Sequence, residues 1–138
     1  MMEDKIGKKP YLGICIDYDK EKKFDKFSLD TLKDRYFWDN ETHAQEAFAR
    51  ASVFAATYKG ETDYELAQRL YNYSSDCWFM FSTPILSNGG TTRGLPISCF
   101  LNYVPDSRVG LSDHYDENIW LASSGGGIGG YWGDVRSD

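Results

Sequence analysis

Residues 97–131, ISCFLNYVPDSRVGLSDHYDENIWLASSGGGIGGY, decide the fold class. They open with an apolar run, Ile97 to Val104, of the length and composition of a buried strand. Beyond Pro105, Asp113 is placed to cap a helix carrying Ile119, Trp120 and Ala122. Asp116 and Glu117 fall in its first turn, where the helix dipole favours carboxylates. Ser123, Ser124 and a glycine cluster at 125–130 then read as a loop leading into a further extended segment. Strand, helix and extended segment in this order open a βαβ arrangement. One such unit cannot cover its own sheet, so the fold is expected to continue past Asp138.

Working outward towards the amino terminus, Asn88-Gly89-Gly90 signals a turn. Pro84 signals a break, because the residue before a proline avoids helical geometry. Thr62-x-x-Glu65 has the pattern of a capping box, and Leu66, Leu70, Tyr73, Cys77 and Phe81 continue from it as an apolar stripe. Thr42-x-x-Gln45 repeats the pattern before Ala47, Phe48, Ala51, Phe54, Ala55 and Tyr58, with Gly60 placed to stop the helix. Ser28 can cap an earlier helix through Leu29, Leu32, Tyr36 and Phe37, ending near Asp39-Asn40. Residues 28–82 are therefore predicted to form a small antiparallel helical bundle, with the stripes as its core and Cys77 as core filler. Residues 11–27 read as a short strand through Leu12, Ile14 and Ile16, followed by a charged, solvated stretch. The expected organisation is an amino-terminal segment at 1–27, a helical domain at 28–92, and an incomplete α/β region at 93–138.

Composition narrows the function. The hydrophobic fraction is 41% and the aromatic fraction 16%, enough to bury a core. Asp and Glu number 21 against 15 Lys and Arg, a formal net charge of −6. An acidic balance argues against a nucleic-acid polymer as partner, though not against single nucleotides. No apolar run approaches the ~20 residues of a membrane span, and residues 1–10 lack the apolar centre of a signal peptide, so a cytoplasmic location is expected. Cys15, Cys77 and Cys99 lack metal-ligand spacing and read as free thiols, or as including one redox thiol.

Three features bear on chemistry. Glycines 125–130 would let a backbone approach an anion closely, but fit a packed or flexible loop equally well. Cys99 behind Ser98 reads, alone, as a small apolar residue of a buried strand rather than as a reactive thiol. Ser82-Thr83-Pro84 alone reads as a helix-to-loop junction.

Their order carries more. STPILSNGG at 82–90, LPISCFL at 95–101, a helix, and GGGIGGYWGDVR at 125–136 resemble the large subunits of class I ribonucleotide reductases, where a helical domain meets a ten-stranded α/β barrel. The close resemblance covers residues 82–138. It implies an amino-terminal α/β fragment: a mainly helical domain followed by the first strand and helix of the barrel. In that family the position of Cys99 belongs to a redox pair that becomes a disulfide as the ribose is reduced, and an external dithiol, thioredoxin or glutaredoxin, restores it. Thr83, Ser98 and Gly127 take positions that contact the substrate nucleoside diphosphate, together with Cys99. Asp106, Ser107, Arg108 and Arg136 fall in the site where a deoxynucleoside triphosphate or ATP effector selects the substrate. A guanidinium at 136 suits phosphate, and Asp106 suits a sugar hydroxyl. On composition alone Asp106 reads as a turn residue and Arg136 as a surface charge. Ile97 departs from the serine of many relatives, and Arg108 is unusual beside the effector aspartate. The start is too short for the ATP-cone domain of many relatives.

The resemblance implies no metal or cofactor bound by this chain. A radical would come from a metal-containing small subunit, and the remainder of the large subunit from another polypeptide or a missing segment. The fragment is expected to be inactive alone. The alternative is a non-catalytic helical interaction module whose glycine-rich end is a linker.

Overall fold

A computed structural model describes residues 7–137; the expectations for residues 1–6 and for Asp138 lie outside that range. The described residues divide into two compact units, one up to Pro96 and one from Ile97 onward.

The first unit begins with a hairpin. β1 (Lys8–Tyr11) and β2 (Ile14–Asp17) pair antiparallel with Tyr11 opposite Ile14, leaving Leu12 and Gly13 as the loop. Both have positive φ, 49° and 84°, as a primed two-residue turn requires. Strand alternation turns Ile14 and Ile16 into the core and leaves Cys15 exposed. The charged stretch after β2 is not simply solvated. Residues 18–23 form a 3-10 helix whose Lys20 and Lys23 pair with Asp76, while Glu21 bonds to His43. The segment is thereby fastened to the helices.

The helices exist where periodicity places them, but their ends differ. α1 (Lys26–Arg35) starts before Ser28, because the Asp25 carboxylate accepts the Ser28 N–H at 2.8 Å. It also ends before Asp39. α2 (Ala44–Ala55) uses Glu46 rather than Gln45 as its capping carboxyl group, accepting from the Thr42 and His43 amides at 2.7 and 3.0 Å. Gln45 is instead fully buried and receives the Tyr71 hydroxyl at 2.8 Å. Ala44, Ala47, Phe48, Ala49 and Ala51 are all buried, so α2 is the central helix. It stops before Tyr58. Residues 57–58 (β3) and 61–62 (β4) pair in a minimal hairpin, which leaves Tyr58 exposed.

α3 (Tyr64–Ser75) is capped by Asp63, not Thr62. Cys77 is not core filler: it is exposed with φ of 62°. Its N–H reaches Ser74 O and that of Trp78 reaches Tyr73 O, the paired bonds of a Schellman ending in which the left-handed position is usually glycine. The helical stripe therefore ends before Phe81. α4 (Thr83–Asn88) makes Ser82-Thr83-Pro84 a loop-to-helix junction instead of an exit from a helix. Proline suits the first turn because its missing N–H would have no intrahelical partner there. Arg50 of α2 is buried and ties these elements together. It pairs with Glu41 (Nε to Oε1, 2.7 Å) and donates to the carbonyls of Tyr36, Leu86 and Gly89.

The second unit is a βαβ arrangement. β5 (Cys99–Tyr103) and β6 (Gly127–Tyr131) are parallel neighbours joined through α5 (Arg108–Ser123). α5 begins well before Asp113, because Ser107 Oγ accepts the Gly110 N–H at 2.9 Å and caps the helix. The glycine cluster is largely strand rather than loop. Its reason is space: a Cβ on Gly126 would stand 2.4 Å from the Phe100 ring, and one on Gly130 would stand 2.7 Å from that of His114. Side chains of β5 and α5 occupy the volume that larger residues in this segment would need.

Candidate active site

The parallel register sets Cys99 beside Gly127, Leu101 beside Gly129 and Tyr103 beside Tyr131. Asn102 Nδ2 donates to Asn118 Oδ1 of α5 at 2.9 Å, which fixes the face of β5 turned to that helix. By alternation Cys99, Leu101 and Tyr103 point the other way. On that open face the Cys99 thiol is exposed. Even a Cβ on Gly127 would meet nothing nearer than Ser98 O at 3.7 Å, so backbone there remains approachable. The Gly127 N–H donates to the Ser98 carbonyl at 2.9 Å, which brings Ser98, Cys99 and Gly127 together at the start of the two strands.

A second group gathers at the carboxyl ends of the same strands, the edge at which open α/β sheets usually bind ligands. Arg136 Nε lies 3.4 Å from Asp106 Oδ2, although the Arg136 side chain is largely exposed. Ser107 spends its oxygen on the α5 cap and retains its hydroxyl hydrogen to donate. Arg108 is the exposed first residue of α5. The Tyr103 and Tyr131 rings stack at 6.1 Å, and Tyr103 OH donates to Asp134 Oδ2 at 3.1 Å. That carboxylate raises the Tyr103 phenol above its ordinary range, chiefly through the hydrogen bond. Thr83 belongs to the first unit, where it is exposed at the start of α4 with Oγ1 3.4 Å from Tyr36 OH.

Among the described residues no group of three His, Cys, Asp or Glu side chains is placed to hold a metal. Nor is any helix among them long and apolar enough to cross a membrane.

The family profile "Ribonucleotide reductase, all-alpha domain" matches residues 22–94, more than half of the chain. The chain belongs to the ribonucleotide reductase large-subunit family. It is 42% identical over 116 residues to the ribonucleoside-diphosphate reductase large subunit of Invertebrate iridescent virus 6, covering 84% of this chain and 12% of that protein. With the alpha subunit of Helicobacter pylori strain J99 the identity is 32% over 132 residues, covering 92% of this chain and 17% of the relative. The Actinobacillus ureae class Id ribonucleotide reductase alpha subunit superposes with a TM-score of 0.67 at 34% identity, over 81% of this chain and 21% of that one. The chain thus spans less than a fifth of the length of these two sequence relatives. What the family match establishes structurally is the helical amino-terminal domain with its few strands.

The family resemblance points to Cys99, Asp106 and Arg136, whereas no motif marks Tyr103, Tyr131 or Asp134. The period-two pattern could have placed both tyrosines on the face of Cys99, had 127–131 been read as a strand. No local signal links Asp134 to Tyr103 across 31 positions.

Proposed function

We propose that this chain supplies the amino-terminal part of a ribonucleoside-diphosphate reductase large subunit, converting ribonucleotides to deoxyribonucleotides. The supporting observation is the Cys99–Gly127 neighbourhood on the strand face turned away from α5. It is where the inner face of an α/β barrel begins if α5 is an outer helix. Cys99 is one thiol of a dithiol whose second member the remainder of the subunit provides. The dithiol gives up two electrons and two protons, the 2′-hydroxyl leaves as water, hydrogen takes its place, and a disulfide forms. Thioredoxin or glutaredoxin then returns two electrons. The small subunit contributes the radical that starts the reaction.

Ser98 offers a hydroxyl, and Gly127 open backbone, to the substrate diphosphate; for Thr83, in the first unit, a substrate contact rests on the family resemblance. Asp106, Ser107, Arg108 and Arg136 hold the triphosphate effector at the strand ends, away from the reacting ribose. The alternative, a helical module with a glycine linker, loses its linker, since Gly127–Tyr131 is a paired strand.

The test combines this chain with a polypeptide carrying the rest of a large subunit, a small subunit and a dithiol reductant. Activity is expected only with all of them present. Cys99→Ser should abolish multiple turnover. Cys77→Ser, in an exposed loop of the first unit, should leave turnover within about twofold of the original, as for surface changes generally. Activity from this chain and the small subunit alone, or normal turnover in Cys99→Ser, overturns the reading.

A further inference from the structure

The segment after β6 must bring Arg136 back towards Asp106, although no regular element carries it there. Among the described residues Arg136 is held by an ion pair with Asp106, and its side chain is 79% exposed. A long exposed side chain so lightly held gains direction only if the backbone beneath it is fixed. Four contacts fix it. Val104 N–H donates to Tyr131 O at 3.0 Å, continuing the pairing beyond Tyr103. The Tyr103 and Tyr131 rings stack, Tyr103 OH reaches Asp134, and the Val135 N–H closes a turn on Trp132 O at 3.1 Å. Gly133 lies so close to the Tyr131 phenol that a Cβ would stand 2.4 Å from its oxygen. The turn is therefore seated on one tyrosine and hydrogen-bonded to the other.

We infer that Tyr103 and Asp134 form a clasp that positions Arg136 for the triphosphate bound at the strand ends. The inference rests on the effector-site reading above and adds two positioning residues to it. Asp134 does not bind phosphate itself, since a carboxylate there would repel it; its task is to accept the Tyr103 hydroxyl and hold the turn.

Two measurements test it. In the chain complemented with the rest of a large subunit, hydrogen exchange at the Val135 amide should be faster in Tyr103→Phe, which keeps the stacked ring, and near normal in Asp134→Asn, which keeps an acceptor. In the same complemented chain, dTTP affinity is read by calorimetry. Tyr103→Phe should weaken dTTP binding roughly threefold to tenfold, the scale of one hydrogen bond acting indirectly. Asp134→Asn should bind at least as tightly as the original. In an Arg136→Ala background the Tyr103→Phe change should have no further effect, because a positioning pair has nothing left to position. If Arg136→Ala weakens dTTP binding but Tyr103→Phe does not, the clasp is wrong and the effector site stands. The clasp is equally wrong if Tyr103→Phe weakens binding to the same extent with and without Arg136, or if Val135 exchange is unchanged. If Arg136→Ala binds dTTP normally, the effector reading itself fails and takes the clasp with it.

Discussion

Arg50 shows how one buried charge can organise a helical unit. Its guanidinium meets Glu41 and three backbone carbonyls, from the end of α1 and from α4 and its cap. Removing it strips the guanidinium from the buried Glu41 carboxylate, which keeps only the Trp38 N–H as donor, and from the three carbonyls. Arg50→Met should therefore destabilise the unit by about 3–5 kcal/mol, whereas Arg50→Met combined with Glu41→Leu should recover much of the loss. Urea unfolding followed by circular dichroism measures both; a single variant within about 1 kcal/mol of the original, as for an exposed ion pair, would show that water reaches the pair. None of this was visible in the sequence, where Arg50 interrupts an alanine-rich face and its partners come from distant segments. Cys77 is the converse case: helical spacing placed it in the core, but spacing carries no information about a helix that ends on a left-handed non-glycine residue.

Elements were more legible than their boundaries. Runs of apolar residues at helical spacing located α1, α2 and α3, because burying a stripe is what stabilises a helix in a small core. Their starts shifted by one to three residues because neighbouring carboxylates, Asp25, Glu46 and Asp63, compete with serine and threonine for the same amides. The extended segment expected after the glycines lies largely on them as β6: glycine disfavours strands by propensity, but packing of His114 against Gly130 leaves room for nothing larger. Two tyrosines join the hairpin region to the helices. Tyr71 OH donates to Gln45 and accepts from the Asp17 N–H at 2.8 Å, and Tyr18 OH donates to Glu46 at 2.9 Å. Burial above all, and for Tyr18 also the bond to Glu46, pushes each phenol up to about 12. An unfolded tyrosine ionises near pH ~10. Since the folded values are raised, the stability they contribute is full below about pH 10 and is lost as pH climbs towards 12. Unfolding free energy should fall across that window, and fall less steeply in Tyr71→Phe. An identical slope in the variant would mean that Tyr71 does not govern the alkaline limb.

At the scale of the molecule the two units differ in how completely each covers its own apolar surface. The first encloses Phe48, Tyr71, Ile16 and four alanines of α2, Ala44, Ala47, Ala49 and Ala51. In the second, Leu101 is 86% exposed and Ile119 and Trp120 each 69%, around a parallel pair of only two strands. Parallel sheets are ordinarily covered on both faces, and a two-stranded sheet is marginal by itself. Local stability should follow that difference, since amides protected by few apolar contacts open at low cost. In the chain alone, amides of Phe48 and its neighbours in α2 should exchange slowly, and those of Phe100–Asn102 and Ile128–Gly130 should exchange quickly. A polypeptide carrying the rest of a reductase large subunit should slow exchange in the second set while leaving the first nearly unchanged. Hydrogen exchange resolved by mass spectrometry, with and without that polypeptide, gives both rates. If the two strands are already as protected as α2 in the chain alone, the βαβ unit is self-sufficient and its exposed residues need another explanation. If they stay unprotected with the complement present, while that complement itself folds, the strands do not enter a larger sheet and the barrel reading of this region falls.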